Sequence, residues 1–210
     1  MKVAVLSESS ADEAAVQVLV GSILGREIQI VSVSARRAHG ISGVFNVLPA
    51  AFKELHYHTD ADGVVVVVDS DHLPIHEERH EQPGGADERC RRCKLRQVVS
   101  RVQGGLRAVP GRSPLKVAFG VAVPIMEAWY LCGTDPRVNE ATWKLGLQAR
   151  SDPYTKLALK KGVYGTERPS LSLETQRAIT EAQRLTRDLP LLERLFPSGF
   201  GALAQDLRRW

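Results

Sequence analysis

The sequence Gly63-Val-Val-Val-Val-Val-Asp69 decides the fold. An unbroken valine run between a glycine and an aspartate predicts a strand that is buried on both faces, as in a parallel sheet. Segments of similar composition predict three more strands. The four predicted strands cover residues 2–7, 27–34, 63–69 and 116–123.

Helical patterns separate these strands. Apolar residues recur at helical spacing before Gly25, over residues 42–56 with Pro49 inside, and over about 91–106. This alternation predicts a Rossmann-like, doubly wound, mainly parallel α/β sheet. We expect the α/β domain to cover residues 1–132 and a helical C-terminal extension, 133–210, to pack on it. Within that extension, Asp152 and Asp188 are predicted to begin helices.

Composition indicates an ordinary globular protein. The 210 residues are 43% hydrophobic and 25% charged, and the three cysteines are too few for a disulfide-stapled secreted protein. The valine run is far shorter than the about 18 apolar residues of a membrane-spanning helix, and the chain passes directly into a strand pattern. We therefore expect a cytoplasmic protein without a membrane partner, and oligomerisation stays open.

Basic residues concentrate in one stretch. Nine of the 28 Lys and Arg residues fall within residues 89–116, which contain no Asp or Glu. This pattern predicts contacts to the backbone of DNA or RNA, although a solvated helix face explains it equally well. The stretch has no aromatic residue on which bases could stack. The predicted phosphate contacts are Arg91, Arg92, Lys94, Arg96 and Arg101.

Acidic residues follow three of the predicted strands. Glu8 ends the first strand, Asp69 and Asp71 follow the third, and Glu127 follows the fourth. In a doubly wound sheet the ligand crevice lies at the carboxyl ends of the strands. Asp69 and Asp71 share one face if the strand continues, and an oxygen-only ligand set favours Mg²⁺ or Mn²⁺.

Most of these acids also have a structural explanation. Glu13 stands three residues after a serine, which is the spacing of a helix capping box. Asp12 and Glu127 can complement helix dipoles, and the aspartate pair can mark a turn. Glu8 is harder to explain in this way, because a carboxylate at the end of a buried strand loses hydration.

The acidic motifs resemble a known family. A strand ending in Glu8, a helix opening with Asp12-Glu13 and a valine strand ending in Asp69-Ser-Asp71 are similar to the Toprim domain of topoisomerases, primases and OLD-family nucleases. The segment Val121-Ala-Val-Pro-Ile-Met-Glu127-Ala-Trp129-Tyr-Leu131 resembles the fourth-strand signature of small OLD-type Toprim-like proteins. The resemblance covers most of the chain.

The resemblance implies a Toprim-like fold and a Mg²⁺- or Mn²⁺-dependent nuclease, with genome defence or repair as its setting. Glu8, Asp69 and Asp71 would hold catalytic Mg²⁺, Glu13 and Glu127 would complete a second site, and Lys156 would stabilise developing charge. OLD-type Toprim domains are fused to ATPase domains. Since this sequence lacks a Gly-x-x-x-x-Gly-Lys phosphate-binding motif, a separately encoded ATPase is an implied partner.

Histidines and cysteines form a second candidate metal set. His72, His76 and His80 stand four residues apart, and Cys90-Arg-Arg-Cys93 follows. On a helix, His76 and His80 share a face, and two histidines with two cysteines complete a tetrahedral zinc set. The spacing is not that of a standard zinc finger, so exposed histidines and a redox thiol pair stay as alternatives. The neighbouring arginines are expected to lower the thiol pKa.

Two rival functions accompany the nuclease hypothesis. A non-catalytic subunit can use the same fold and the basic stretch to bind nucleic acid or a partner protein. A phosphate-transfer enzyme acting on small molecules can use the same carboxylates.

Overall fold

Four parallel strands form the centre of the molecule. The computed structural model describes residues 1–34 and 40–210. In that part of the chain the sheet has the strand order β2-β1-β3-β4, and every neighbouring pair is parallel. This confirms the α/β class with a parallel sheet. The strands are β1 (Lys2–Leu6), β2 (Gln29–Ile30), β3 (Gly63–Asp69) and β4 (Lys116–Ala122).

The edge strand β2 is shorter than predicted. The sequence predicts a strand over residues 27–34, but only two residues pair with β1. Both are exposed, because β2 has a partner on one side only and little covers it. A run of Val and Ile at an edge therefore gave a weaker strand than the same residues in the middle of the sheet.

The valine run of β3 supplies both faces of the sheet. Val65 and Val67 pack on one face, and Val64, Val66 and Val68 pack on the other. All five side chains are fully buried. Successive residues of a strand point to opposite faces, so a strand covered on both sides needs apolar residues at every position.

Helices cover each face. They are α1 (Ser10–Leu24), α2 (Gly40–His58), α3 (Arg91–Gly104), α4 (Met126–Tyr130), α5 (Glu140–Ala149), α6 (Lys156–Tyr164), α7 (Leu171–Leu185), α8 (Leu189–Leu195) and α9 (Ala202–Arg208). On the Val65 side, α1 packs along α7, and α9 packs on β4. On the other side, α2 packs against α3. Among the described helices, none combines the length and apolar character needed to cross a membrane.

Helix boundaries agree with the sequence in part. Gly25 ends α1 in a left-handed conformation, and Asp188 caps α8, as predicted. Pro49 does not end α2, which runs through it. The predicted helix start at Asp152 is wrong, because the Thr155 hydroxyl instead accepts a hydrogen bond from the first turn of α6.

Candidate functional site

The order in which strands are added to the sheet reverses between β1 and β3, which is the topological switch point. The first crossover leads from β1 outward to β2, and the second returns across β1 to β3. Ligand crevices of doubly wound sheets lie at the carboxyl ends of the strands at such a point. Here the Asp69 backbone N–H donates a hydrogen bond to Glu8 Oε1, at 2.8 Å. The acids predicted at adjacent strand ends are therefore side by side.

A cavity of about 300 Å³ opens at this point, and we term it the acidic cavity. Strand ends, the first turns of α1 and α4, and helices α6 and α7 all contribute to its wall. Its ionisable lining residues are Glu8, Asp12, Asp69, Glu127, Lys156, Lys160, Tyr164 and Glu174.

The first turn of α1 directs Asp12 into the acidic cavity. Ser9 caps the helix, since its hydroxyl oxygen accepts the Asp12 N–H at 3.1 Å and its O–H donates to Asp12 Oδ2 at 2.7 Å. The capping pair is thus Ser9 with Asp12, one residue earlier than the predicted pair that includes Glu13. Glu13 is absent from the described lining of the cavity. The backbone of Ser9 is extended.

The first residues of α4 form another part of the wall of the acidic cavity. Asp69 Oδ1 accepts a hydrogen bond from the Met126 N–H at 3.1 Å. Glu127 follows, buried, and accepts a hydrogen bond from the Tyr164 hydroxyl. Lys160 Nζ lies 3.8 Å from Glu127 Oε1 and 3.7 Å from the Glu174 carboxylate, so these two acids share one cation.

The strand β3 ends at Asp69, as predicted, so it does not continue to Asp71. Asp71 has a left-handed backbone with φ of 55°. Its carboxylate accepts a hydrogen bond from Lys156 and lies 3.5 Å from Arg91 Nη2. The two aspartates therefore do not share a face. Asp69 lines the acidic cavity, whereas Asp71 binds the cations beside it.

Burial and nearby acids disfavour the ionised form of three carboxyl groups in the acidic cavity. Burial raises the pKa of Asp69 well above its usual value, and the nearby charges of Glu8 and Asp12 raise it further. Burial also raises the pKa of Asp12 to about 7 and the pKa of Glu8. Within residues 1–34 and 40–210, no ion pair joins these three carboxylates to a cation. A bound cation would therefore stabilise the ionised form of these carboxyl groups.

A buried hydroxyl lies beside these acids. Tyr130 is 1% exposed, and its hydroxyl has no hydrogen-bond partner among the described residues. Burial raises its pKa, and the charges of Asp12, Glu127 and Asp69 add to that rise. Unpartnered buried hydroxyls are uncommon in native proteins and call for an unseen partner such as water or an ion.

A compact set of two histidines and two cysteines lies in the crossover from β3 to α3, and we term it the His2Cys2 cluster. It consists of His76, His80, Cys90 and Cys93, whose ligand atoms all lie within 4.8 Å of one another. His76 Nδ1 lies 3.4 Å from Cys90 Sγ and 3.6 Å from Cys93 Sγ. The cluster can hold a metal ion. His80 lies within a short 3₁₀ turn, Glu78–Glu81, and His76 precedes it, so the two histidines do not share an α-helix.

A second layer of polar contacts supports His76. Its Nε2 lies 2.7 Å from Glu81 Oε1, and Arg96 forms an ion pair with the same carboxylate. Metal-binding histidines commonly donate their other ring N–H to a carboxylate in this way, which frees the remaining nitrogen for the ion. Burial raises the pKa of the Cys90 thiol to about 11. The predicted lowering by neighbouring arginines is therefore wrong.

His72 lies apart from the His2Cys2 cluster. Its Nδ1 is 3.5 Å from Asp152 Oδ1, and the residue is exposed.

The basic stretch does not form one uniform surface. Arg92 is 3% exposed, and its guanidinium donates to Phe119 O and pairs with Asp206, so in this fold it has no access to a nucleic-acid phosphate. Lys94 and Arg101 are exposed on α3 and stand seven residues apart, on one side of the helix. The accessible part of the predicted nucleic-acid surface is therefore this side of α3.

No protein-family model, curated protein or solved structure matches the chain. The function has to be argued from the acidic cavity and the His2Cys2 cluster themselves.

Sequence reasoning missed part of the acidic cavity. The sequence predicts that Asp12 complements a helix dipole, whereas in the structure Asp12 lines the cavity. Lys160, Tyr164 and Glu174 come from α6 and α7, and nothing in their local sequence indicates that these helices reach the strand ends. The one available signal was the lysine-rich start of α6, which also contains Lys156.

Proposed function

We propose that the protein is a Mg²⁺- or Mn²⁺-dependent nuclease and that the acidic cavity is its active site. One observation carries the proposal: Glu8, Asp12 and Asp69 lie uncompensated at the switch point of the sheet, with cations only at their edge. This pattern suits the joint binding of a divalent ion and a phosphate. The resemblance to Toprim-like nucleases supports the same chemistry, and a separately encoded ATPase is part of the proposal.

The residues present fit such an ion. Carboxylates supply the oxygen ligands that Mg²⁺ and Mn²⁺ prefer. The acids of the cavity are not gathered as tightly as the His2Cys2 cluster, which is the compact metal-binding set found among the described residues. Mg²⁺ tolerates this because it keeps several waters and needs only one or two carboxylates. Glu8 and Asp69 would hold the ion, which supplies a polarised phosphoryl oxygen and a more acidic water.

Cations of the chain would bind the substrate phosphate. Lys156 lines the acidic cavity and donates to Asp71, which also lies beside Arg91. Asp71 thus orients both cations instead of binding the ion itself. The oxygens of a phosphodiester at the cavity mouth would contact Lys156 and Arg91, and the ion would lie deeper in the cavity, between the phosphodiester and the carboxylates.

The test is cleavage of supercoiled plasmid, single-stranded DNA and RNA in Mg²⁺ or Mn²⁺, alongside calorimetric titration with Mn²⁺. We expect both Mn²⁺ binding and nicking in the wild type. Absence of both, even with a partner ATPase supplied, would overturn the proposal. Nucleic-acid binding without cleavage would instead favour the non-catalytic binding subunit, and turnover of small phosphate esters alone would favour phosphate transfer.

Nucleic-acid binding should depend on salt and on the exposed side of α3. We expect the Lys94→Glu/Arg101→Glu double variant to bind DNA and RNA more weakly and with a shallower salt dependence. Each lost phosphate contact should reduce the slope of log K against log salt by about 0.9 on duplex DNA. Fluorescence anisotropy at several salt concentrations measures this. Equal slopes for the variant and the wild type would contradict it, and Lys161→Glu, on α6, is a matched charge control.

For the His2Cys2 cluster we propose Zn²⁺. Bond lengths of about 2.3 Å to sulfur and 2.0–2.1 Å to nitrogen at tetrahedral angles place the two ligand atoms about 3.6 Å apart. The Sγ to Nδ1 distances of 3.4 and 3.6 Å agree with this. Four protein ligands leave no open position, which is typical of a structural site.

Metal analysis should find one zinc per chain, and removal of zinc should lower the melting temperature. Zinc binding contributes to folding free energy wherever the unfolded chain lacks a preformed site. Protein purified without chelators and analysed by atomic emission gives the stoichiometry. A zinc-free protein with an unchanged melting temperature would contradict the assignment.

A further inference from the structure

One residue, Arg91, connects the His2Cys2 cluster to the edge of the acidic cavity. Cys90 belongs to the cluster and stands at the N-cap of α3, and Arg91 is the first residue of that helix. Arg91 Nη2 lies 3.5 Å from Asp71 Oδ2, and the Arg91 side chain is 16% exposed. The side chain therefore points from the cluster toward the edge of the cavity.

Arg91 is close to the acids that we assign to the divalent ion. Its charge, together with that of Lys156, partly counters the burial that raises the pKa of Glu8. Both cations bind the same partner, Asp71. The Arg91 Nε is buried and has no hydrogen-bond partner among the described residues, whereas the side chain as a whole is 16% exposed.

The segment between β3 and α3, which leads to Arg91, contains little regular secondary structure. Between β3 and α3, the described chain forms a single 3₁₀ turn, Glu78–Glu81, as its regular secondary structure. The His2Cys2 cluster ties the two histidines of this crossover to the first turn of α3. A metal ion there would close the crossover as a loop and fix the start of the helix.

We propose that zinc in the His2Cys2 cluster positions Arg91 at the edge of the acidic cavity, so that the phosphate-binding site is complete only in the zinc-loaded protein. This inference rests on the proposed function. Arg91 would bind the substrate phosphate, and the cysteines and histidines would act as positioning residues. The zinc takes no part in the reaction itself.

The test is a double-mutant cycle on cleavage. Cys93→Ala removes one zinc ligand without changing the helix cap, and Arg91→Gln removes the guanidinium while keeping the zinc. We expect each substitution to lower kcat/KM by about tenfold. The double variant should also lose about tenfold rather than a hundredfold, because both substitutions remove the same contribution, a correctly positioned Arg91 guanidinium. The matched controls are Cys132→Ala, a buried cysteine outside the cluster, and Arg89→Gln, an exposed arginine of the same segment. Additive losses would overturn the inference.

A second measurement separates this inference from the proposed function and from misfolding. Arginine Nε–H signals of ¹⁵N-labelled wild type are recorded before and after zinc removal by a chelator, and again after zinc is restored. Arg91→Gln identifies the signal. We expect that signal to move and broaden without zinc and to return with it. A signal that ignores zinc would overturn the inference, whereas a zinc-dependent signal in a protein that cleaves nothing would uphold the positioning and refute the nuclease.

Discussion

Asp69→Asn should lower Mg²⁺-dependent cleavage by roughly a thousandfold while the protein stays folded. Asparagine keeps the volume of the side chain and the oxygen that accepts the Met126 N–H. It removes the charge at the floor of the acidic cavity, where the proposed ion would bind. Glu8 accepts a hydrogen bond from the Asp69 N–H, and Glu8→Gln should also lower cleavage strongly.

The same substitution should raise the melting temperature when no divalent ion is present. Burial and the neighbouring acids raise the pKa of Asp69, which means that its ionised form is disfavoured in the fold. A gain in stability with a loss of activity distinguishes a functional carboxylate from a structural one. Plasmid nicking and thermal unfolding of the same preparations measure both. Asp60→Asn, an exposed aspartate, is the control, and unchanged cleavage by Asp69→Asn would assign the activity to another site.

The second large effect is a fall in stability as the pH rises. Asp12 has a pKa of about 7 in the folded protein and 3.8 as its ordinary value. A carboxyl whose folded pKa is raised keeps its proton more readily in the fold, so the folded state loses relative stability as pH rises from about 4 to above 7. The shift corresponds to about 4 kcal/mol for this one group. Glu8 and Asp69 shift in the same direction.

Mg²⁺ should reverse this loss at pH 8 and have little effect at pH 5, because the ion binds only the deprotonated carboxylates. Thermal unfolding of zinc-loaded protein, with and without Mg²⁺ across this pH range, measures both trends. Comparison with Asp12→Asn isolates the carboxylate, and the variant should show a flatter profile. A melting temperature that rises steadily to pH 8 without Mg²⁺ would contradict the prediction.

The sheet was predictable because its signals are local. Five consecutive valines need apolar neighbours on two faces, and this requirement alone indicates the central strand. The position of Glu8 beside Asp69 also followed, since the ends of neighbouring parallel strands meet at one edge. The length of β2 could not be predicted from its sequence, because it depends on what covers the edge of the sheet.

The rest of the acidic cavity depends on backbone geometry and on distant parts of the chain. Asp71 turns away from Asp69 because its φ is positive, and no pattern of residue types predicts that reliably. The capping pattern points to Glu13, whereas the structure pairs Asp12 with the capping serine because the helix begins one residue earlier. The composition of the His2Cys2 cluster was readable from the sequence, but its compactness was not, since the crossover has so little regular structure.

The packing of α1 on α7 has a consequence for synthesis of the chain. α1 ends at Leu24, whereas α7 begins at Leu171, and one apolar layer of the sheet is closed only when the two meet. A nascent chain that has emerged only as far as Cys132 would have all four strands and α1, but that layer would still lack α7 and α9. We expect it to stay dependent on the ribosome or a chaperone until the last helices are made, because uncovered strands and late contacts favour aggregation.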